Sequence, residues 1–179
     1  MHSDDLERAR GAWKFRGQER PQGAEEPGPG QESVWDYPRP PAVVDDRRRI
    51  QVRLNGVLIA ESQAARRVLE TASPPVFYLP PDALQCDCLR PESKTSFCEW
   101  KGRASYFSVC VDAHCVEHAV WTYADPFPEY AAIKAYLAFY PSLLECYVDD
   151  QRVRAQTSGY YGGWITDEIV GPFKGELDT

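Results

Sequence analysis

The chain reads as a mainly β (α+β) domain of small antiparallel sheets with one or two short helices. Three observations predict this. Apolar and polar residues alternate over short runs, as in Ile50, Val52 and Leu54. Turn-forming pairs divide those runs, above all Asn55-Gly56 and Lys101-Gly102. An extended Pro-rich strap precedes the strands and a Gly-rich arm follows them. At 179 residues the chain makes one domain with a core, residues 32–179, behind a flexible N-terminal tail, residues 1–31.

In order, residues 1–14 predict a short helix capped by Ser3 or Asp4, with Leu6 and Trp13 as its large apolar anchors. Gly, Pro, Glu and Gln then dominate to Gln31 and predict little fixed structure, with Trp13 and Phe15 docking on the domain. Glu32 to Pro41 is held extended by three prolines and forms a strap that buries Trp35. Alternatively, Trp35, Asp36 and Arg39 wall a pocket.

The hairpin at Asn55-Gly56 leads to a strand through Leu69, which pairs with Val76–Leu79 and ends at Pro80-Pro81. Asp82 to Pro91 predicts a loop with one helical turn. Ser93 to Tyr106 predicts a second hairpin, with Cys98, Ser96 and Trp100 on one face and Lys101 opposite. Val116 to Tyr123 predicts a strand with Val120 on one face and Ala119, Trp121 and Tyr123 on the other. Pro128 and the stripe Ile133, Tyr136, Leu137, Tyr140 predict a helix over residues 129–139. Leu144 to Gln156 predicts a last hairpin about Asp149-Asp150, and Gly159 to Gly175 an ordered arm.

Hydrophobic content of 43% and charged content of 26% suit a soluble domain. A net charge of −7 argues against a nucleic-acid partner, because phosphate neutralisation needs clustered Lys and Arg. Arg47 to Arg49 directly follow Asp45-Asp46 and read as a solvated loop. No window reaches the ~20 apolar residues of a membrane span, and no apolar stretch near Met1 suggests a secretory signal. The six cysteines are therefore expected to be reduced thiols in a cytoplasmic protein.

Cys86, Cys88, Cys98, Cys110, His114, Cys115 and His118 are enough ligands for zinc, but they lack the paired spacing of zinc knuckles. No metal and no cofactor is expected. Lys101 near Cys98 favours a thiolate, and a nucleophile would also want a base such as His114 or His118. A buried small thiol is the plainer reading. Glu70 follows Arg66-Arg67 and is a candidate buried acid paired with an arginine, or an acid–base group. Trp100, Tyr106, Trp121 and Tyr123 fall on neighbouring strands and form either core or a cleft for a planar ligand.

These residues resemble the family catalogued as domain of unknown function 427, provisionally named nucleotidyltransferase-like. The resemblance rests on Glu70 with Tyr78-x-Pro80, on Cys98-Glu99-Trp100-Lys101-Gly102, and on Ala104-Ser105-Tyr106. It continues in Ala119-Val120-Trp121-x-Tyr123-x-x-Pro126 and in Ile133 to Phe139, and spans roughly residues 50–150. It implies a β-tent fold, a group that also includes zinc-bearing domains such as the B-type methionine sulfoxide reductases. Glu99 stands where proline or another residue is common in the family.

The combined expectation is a small-ligand pocket lined by Glu70, Cys98, Lys101, Tyr106, Trp121 and Tyr123 and covered by Trp35 and Trp164. Glu70, Cys98 and Lys101 are its candidate catalytic groups, and whether any reaction occurs is left open. In it Lys101 meets an anionic group, Glu70 orients Lys101 or acts as acid or base, and the aromatics stack. The alternatives are a non-enzymatic interaction module, as monomer or homodimer, and the nucleotidyltransferase-like enzyme that the family name suggests. A thiol relay among Cys86, Cys88 and Cys98 is a further option.

Overall fold

The structure of the protein is a computed structural model that describes residues 3–176. The expected tail and domain therefore extend beyond it: residues 1–2 and 177–179 lie outside the described residues.

Helix α1 (Ser3–Gly11) and the short strand β1 (Glu32–Ser33) precede β2 (Ala42–Asp46), β3 (Ile50–Leu54), β4 (Val57–Ser62), β5 (Ala65–Glu70) and β6 (Ser73–Leu79). The long strands β7 (Leu89–Cys98), β8 (Gly102–Val111) and β9 (His114–Thr122) follow, then β10 (Leu137–Phe139), β11 (Glu145–Val148) and β12 (Gln151–Arg152). The C-terminal arm carries β13 (Arg154–Ala155), β14 (Trp164–Ile165) and β15 (Ile169–Val170).

Seven strands form one antiparallel sheet in the order β2-β5-β6-β10-β9-β8-β7, and four form a second in the order β12-β11-β3-β4. The mainly β class holds. Asn55 and Gly56 both adopt positive φ, 49° and 79°, which is what a two-residue turn matched to strand twist requires. Asp149 and Asp150 turn the β11–β12 hairpin in the same way, at φ 45° and 71°.

Because side chains alternate across a strand, the large sheet has two different faces. Phe77, Leu79, Val109, Val120, Leu137 and Phe139 point toward the small sheet and meet Ile50, Val52, Ile59 and Cys146 in the main core. Tyr78, Ala104, Tyr106, Trp121, Tyr123 and Ala138 point the other way into an aromatic cluster. A third cluster joins the strap to the arm: Val34, Trp35 and Tyr37 pack on Ile165, Ile169 and Phe173. Parallel pairing of β1 with β15 ties the same two segments together.

Four expectations need correction. The helix over residues 129–139 stops at Ile133 as a 3-10 segment (Pro128–Ile133). Ala135 at φ 61° then reverses the chain, and Leu137–Phe139 slots between β6 and β9. Ladder bonds on both sides outweighed a stripe whose spacing also suited a helix. Ala119 joins Val120 in the main core instead of sharing the face of Trp121, because His118 at φ 55° interrupts the alternation in a register shift against β8. Lys101 does not oppose Cys98, since it sits in the loop before Gly102 rather than in a strand, and both border one cavity. The cysteines are not all thiols: Cys86–Cys88 and Cys110–Cys115 are disulfides, and Cys98 and Cys146 are free.

Candidate functional site

The outer face of the large sheet floors a cavity of about 720 Å³. Glu70, Cys98, Lys101, Tyr106, Trp121 and Tyr123 all line it. They arrive from β5, the β7–β8 hairpin and β9 with the residue that follows it, so the pairing of distant strands brings them together. Trp35 and Trp164 do not cover it. Trp164 is fully buried in the main core, stacked on Phe77 at 4.8 Å, with its Nε1 donating to the Phe139 carbonyl at 3.0 Å. Trp35 donates to the Pro172 carbonyl at 3.0 Å and packs edge-on to Phe15. Each has an apolar partner and an acceptor for its N–H away from this cavity, Trp164 inside the main core and Trp35 in the cluster that joins strap and arm.

Lys101 sits 8% exposed at the base of the cavity. Its Nζ lies 3.8 Å from Glu70 Oε2 and 6.0 Å from the Tyr130 ring centroid. Burial opposes its charge, yet Cys98, Glu70 and the surrounding phenols outweigh that, so its pKa is raised and the ammonium persists. Glu70 Oε1 accepts from Arg39 Nη2 at 2.9 Å. The arginine partner of Glu70 thus comes from the strap. Arg66 turns instead to Asp45 at 3.3 Å, and Arg67 to Glu32 and Asp46, each at 3.2 Å.

Trp121 is the centre of the floor. Its Nε1 donates to Tyr78 Oη at 3.4 Å, and its ring lies 4.5 Å from that of Tyr140. Gly162 of the arm rests on the indole so closely that a Cβ there would meet Trp121 at 2.3 Å, which explains one glycine of the arm by close approach. Burial raises the phenol pKa of Tyr78 and Tyr130 to about 12 and that of Tyr123 well above its usual value. These hydroxyls are neutral donors at working pH.

A polar clamp crosses three strands nearby. Glu92 lies in the register shift of β7 and accepts from Ser108 Oγ at 2.6 Å and from the His118 amide at 2.8 Å, while its second oxygen pairs with His118 Nδ1. His118 is thus held to Glu92 through both its amide and its ring. Among the described residues no group of three His, Cys, Asp or Glu is placed to hold a metal ion. Cys86 and Cys88 are bonded to each other and pack against the main core, whereas Cys98 packs on the aromatic cluster, so they form no relay.

Sequence reasoning missed Tyr140, Gln156, Gly162 and Lys174, all on the cavity wall. Only the glycine density of the arm hinted at a close approach; nothing local marks Gln156 or Lys174, which reach the cavity because the arm folds back.

Residues 42–150 match the family described as a domain of unknown function, DUF427, and the chain belongs to that family. No curated protein matches the chain.

Proposed function

We propose that the protein binds a small planar ligand bearing an anionic group in the cavity over Trp121, and that this domain has the β-tent arrangement the resemblance implies. One observation carries the reading: a buried, charged lysine and a row of aromatic rings converge on one concavity from three parts of the chain. About 720 Å³ is within the range of small-molecule sites, which pair apolar walls with a few oriented polar groups. In this reading Lys101 meets the anion and Glu70, held by Arg39, orients Lys101. Trp121, Tyr106 and Tyr123 offer stacking faces and hydroxyl donors, and Cys98 is wall or reactive thiol. A nucleotide has both a planar and an anionic part, which is how the family label would enter; transfer of its nucleotidyl group is not needed.

Native mass spectrometry of protein purified from its own cells, before and after denaturation, tests this. A mass excess lost on denaturation, and absent from the Lys101→Met variant, supports the reading. Bare masses for both count against it.

A second reading is an interaction module, alone or as a homodimer. Phe97, Leu143 and Tyr160 favour it, because they stand 48%, 43% and 77% exposed on the border of the same cavity. Location follows from the cysteines. A cytoplasmic protein is expected to show six titratable thiols after rapid quenching, and one from an oxidising compartment two.

A further inference from the structure

Trp35 and Arg39 belong to a second cavity of about 460 Å³, beneath the N-terminal segment, with Trp13, Phe15, Thr71 and Lys174 among its walls. Most of that lining is apolar: Phe15 and Trp35 meet edge-on at 5.4 Å, and Ala12 and Ala72 add to them. Three cations interrupt it: Lys14, set over the Phe15 ring at 4.9 Å, and the more buried Arg39 and Lys174.

The Arg39 side chain is only 1% exposed. Its Nη2 donates to Glu70 Oε1 and to the Thr71 carbonyl, each at 2.9 Å. Its Nε and Nη1 have no partner among the described residues. Buried guanidinium nitrogens without acceptors are costly. Trp13 lies over this group at 3.8 Å, but an aromatic face accepts nothing from in-plane N–H groups. Lys174 Nζ stands 4.2 Å from the same indole. Glu70, the carboxylate acting most strongly on Lys174, is already shared by Arg39 and Lys101. Arg39 and Lys174 thus border one apolar cavity together, and the carboxylate between them is spent.

We propose that this cavity is a binding site for a small carboxylate with an apolar body, its oxygens on Arg39 and Lys174 and its body against Trp13, Phe15 and Trp35. Arg39 and Lys174 supply N–H donors that suit two carboxylate oxygens. The Thr71 hydroxyl is engaged by the Tyr37 carbonyl, and Lys14 stands over the Phe15 ring at 4.9 Å, so the donors that converge are those of Arg39 and Lys174, fewer than a phosphate would use. The site is independent of the proposal for the Trp121 cavity, although Lys174 borders both.

Calorimetric titration of the full-length protein with phenylacetate, and separately with inorganic phosphate, decides it. Saturable binding of phenylacetate is expected, with phosphate clearly weaker at equal ionic strength. Lys174→Met is expected to lower phenylacetate affinity about tenfold, and Trp13→Ala to lower it severalfold. Glu92→Gln, whose partners Ser108 and His118 line no part of this cavity, leaves it unchanged. Circular-dichroism melts confirm that each variant folds; Arg39, which holds Glu70 and Thr71, is left intact. Absence of phenylacetate binding, equal affinity in a folded Lys174→Met variant, or phosphate binding as tight as phenylacetate would overturn the proposal.

Discussion

The two faces of the seven-stranded sheet are made by alternate residues of the same strands, yet they solve different problems. Phe77 and Leu79 on the inner face are buried against the small sheet in one apolar cluster with Ile50, Val52 and Ile59. Tyr78, between them in sequence, faces outward with Trp121, Tyr123 and Tyr106. A dry aliphatic layer can close completely. A layer of rings with polar tips cannot, because each hydroxyl or indole N–H needs a partner. The outer face is therefore left with a cavity edged by Lys101, Glu70 and the arm. What separates a packed layer from a candidate site here is how many polar ring tips a face carries: the inner face has the indole N–H of Trp164, satisfied by the Phe139 carbonyl, and the outer face has several hydroxyls besides its indole.

That contrast can be broken most strongly at its two tryptophans. Trp164→Ala, in the sealed layer, is expected to cost about 4 kcal/mol by urea denaturation, whereas Trp121→Ala, with a cavity on one side, is expected to cost about 2 kcal/mol. Equal losses would mean that the outer face is packed as tightly as the inner.

Alkaline titration comes next. Tyr78 and Tyr130 have folded pKa values raised to about 12 by burial. The stability they add is fully present below the unfolded value of about 10 and is lost as pH rises toward 12. Melting temperature should therefore fall above about pH 10, and the tyrosinate absorbance that the Tyr78→Phe and Tyr130→Phe variants lose should rise only with unfolding. If that difference signal develops while the fold persists, the burial of these two hydroxyls is contradicted.

Glu92→Gln is smaller, about 1 kcal/mol at neutral pH. Burial raises the Glu92 pKa, but Ser108 and His118 more than offset this and hold it below the usual carboxylate range. Its contribution is thus present above about pH 4.3 and lost as pH falls through the folded value. The gap between wild type and variant should close on acidification, which parallel melts at neutral and acid pH would reveal. Smallest of all, Phe97→Ser and Tyr160→Ser at the rim are expected within about 0.5 kcal/mol of wild type. Sedimentation of the same variants tests association, since a dimer that becomes a monomer would assign the rim to a second copy of the chain.

Local sequence was enough for the hairpins, because turn chemistry acts over two residues: Asn55-Gly56 and Asp149-Asp150 each adopt the positive φ their types tolerate. Alternation also marked Trp121 and Tyr123 as sharing a face, opposite Val120. It failed at residues 134–139, where Tyr136 and Leu137 matched a helical stripe but β6 and β9 supplied ladder partners from far away. The same limit hid the partner of Glu70. Arg66 and Arg67 are its neighbours in sequence, yet the strap delivers Arg39.

By itself the sequence determined the mainly β class, the strand hairpins and the residue types that meet around Lys101, since periodicity and turn preference are properties of a few neighbouring residues. Only the tertiary structure decided which tryptophans line a cavity and which are sealed, that four cysteines pair, and that Arg39 and Lys174 border a second cavity. Those outcomes depend on where the strap and the arm come to rest. Their resting place is set by long-range burial of Trp35, Ile165, Ile169 and Phe173 against one another, which no local pattern encodes.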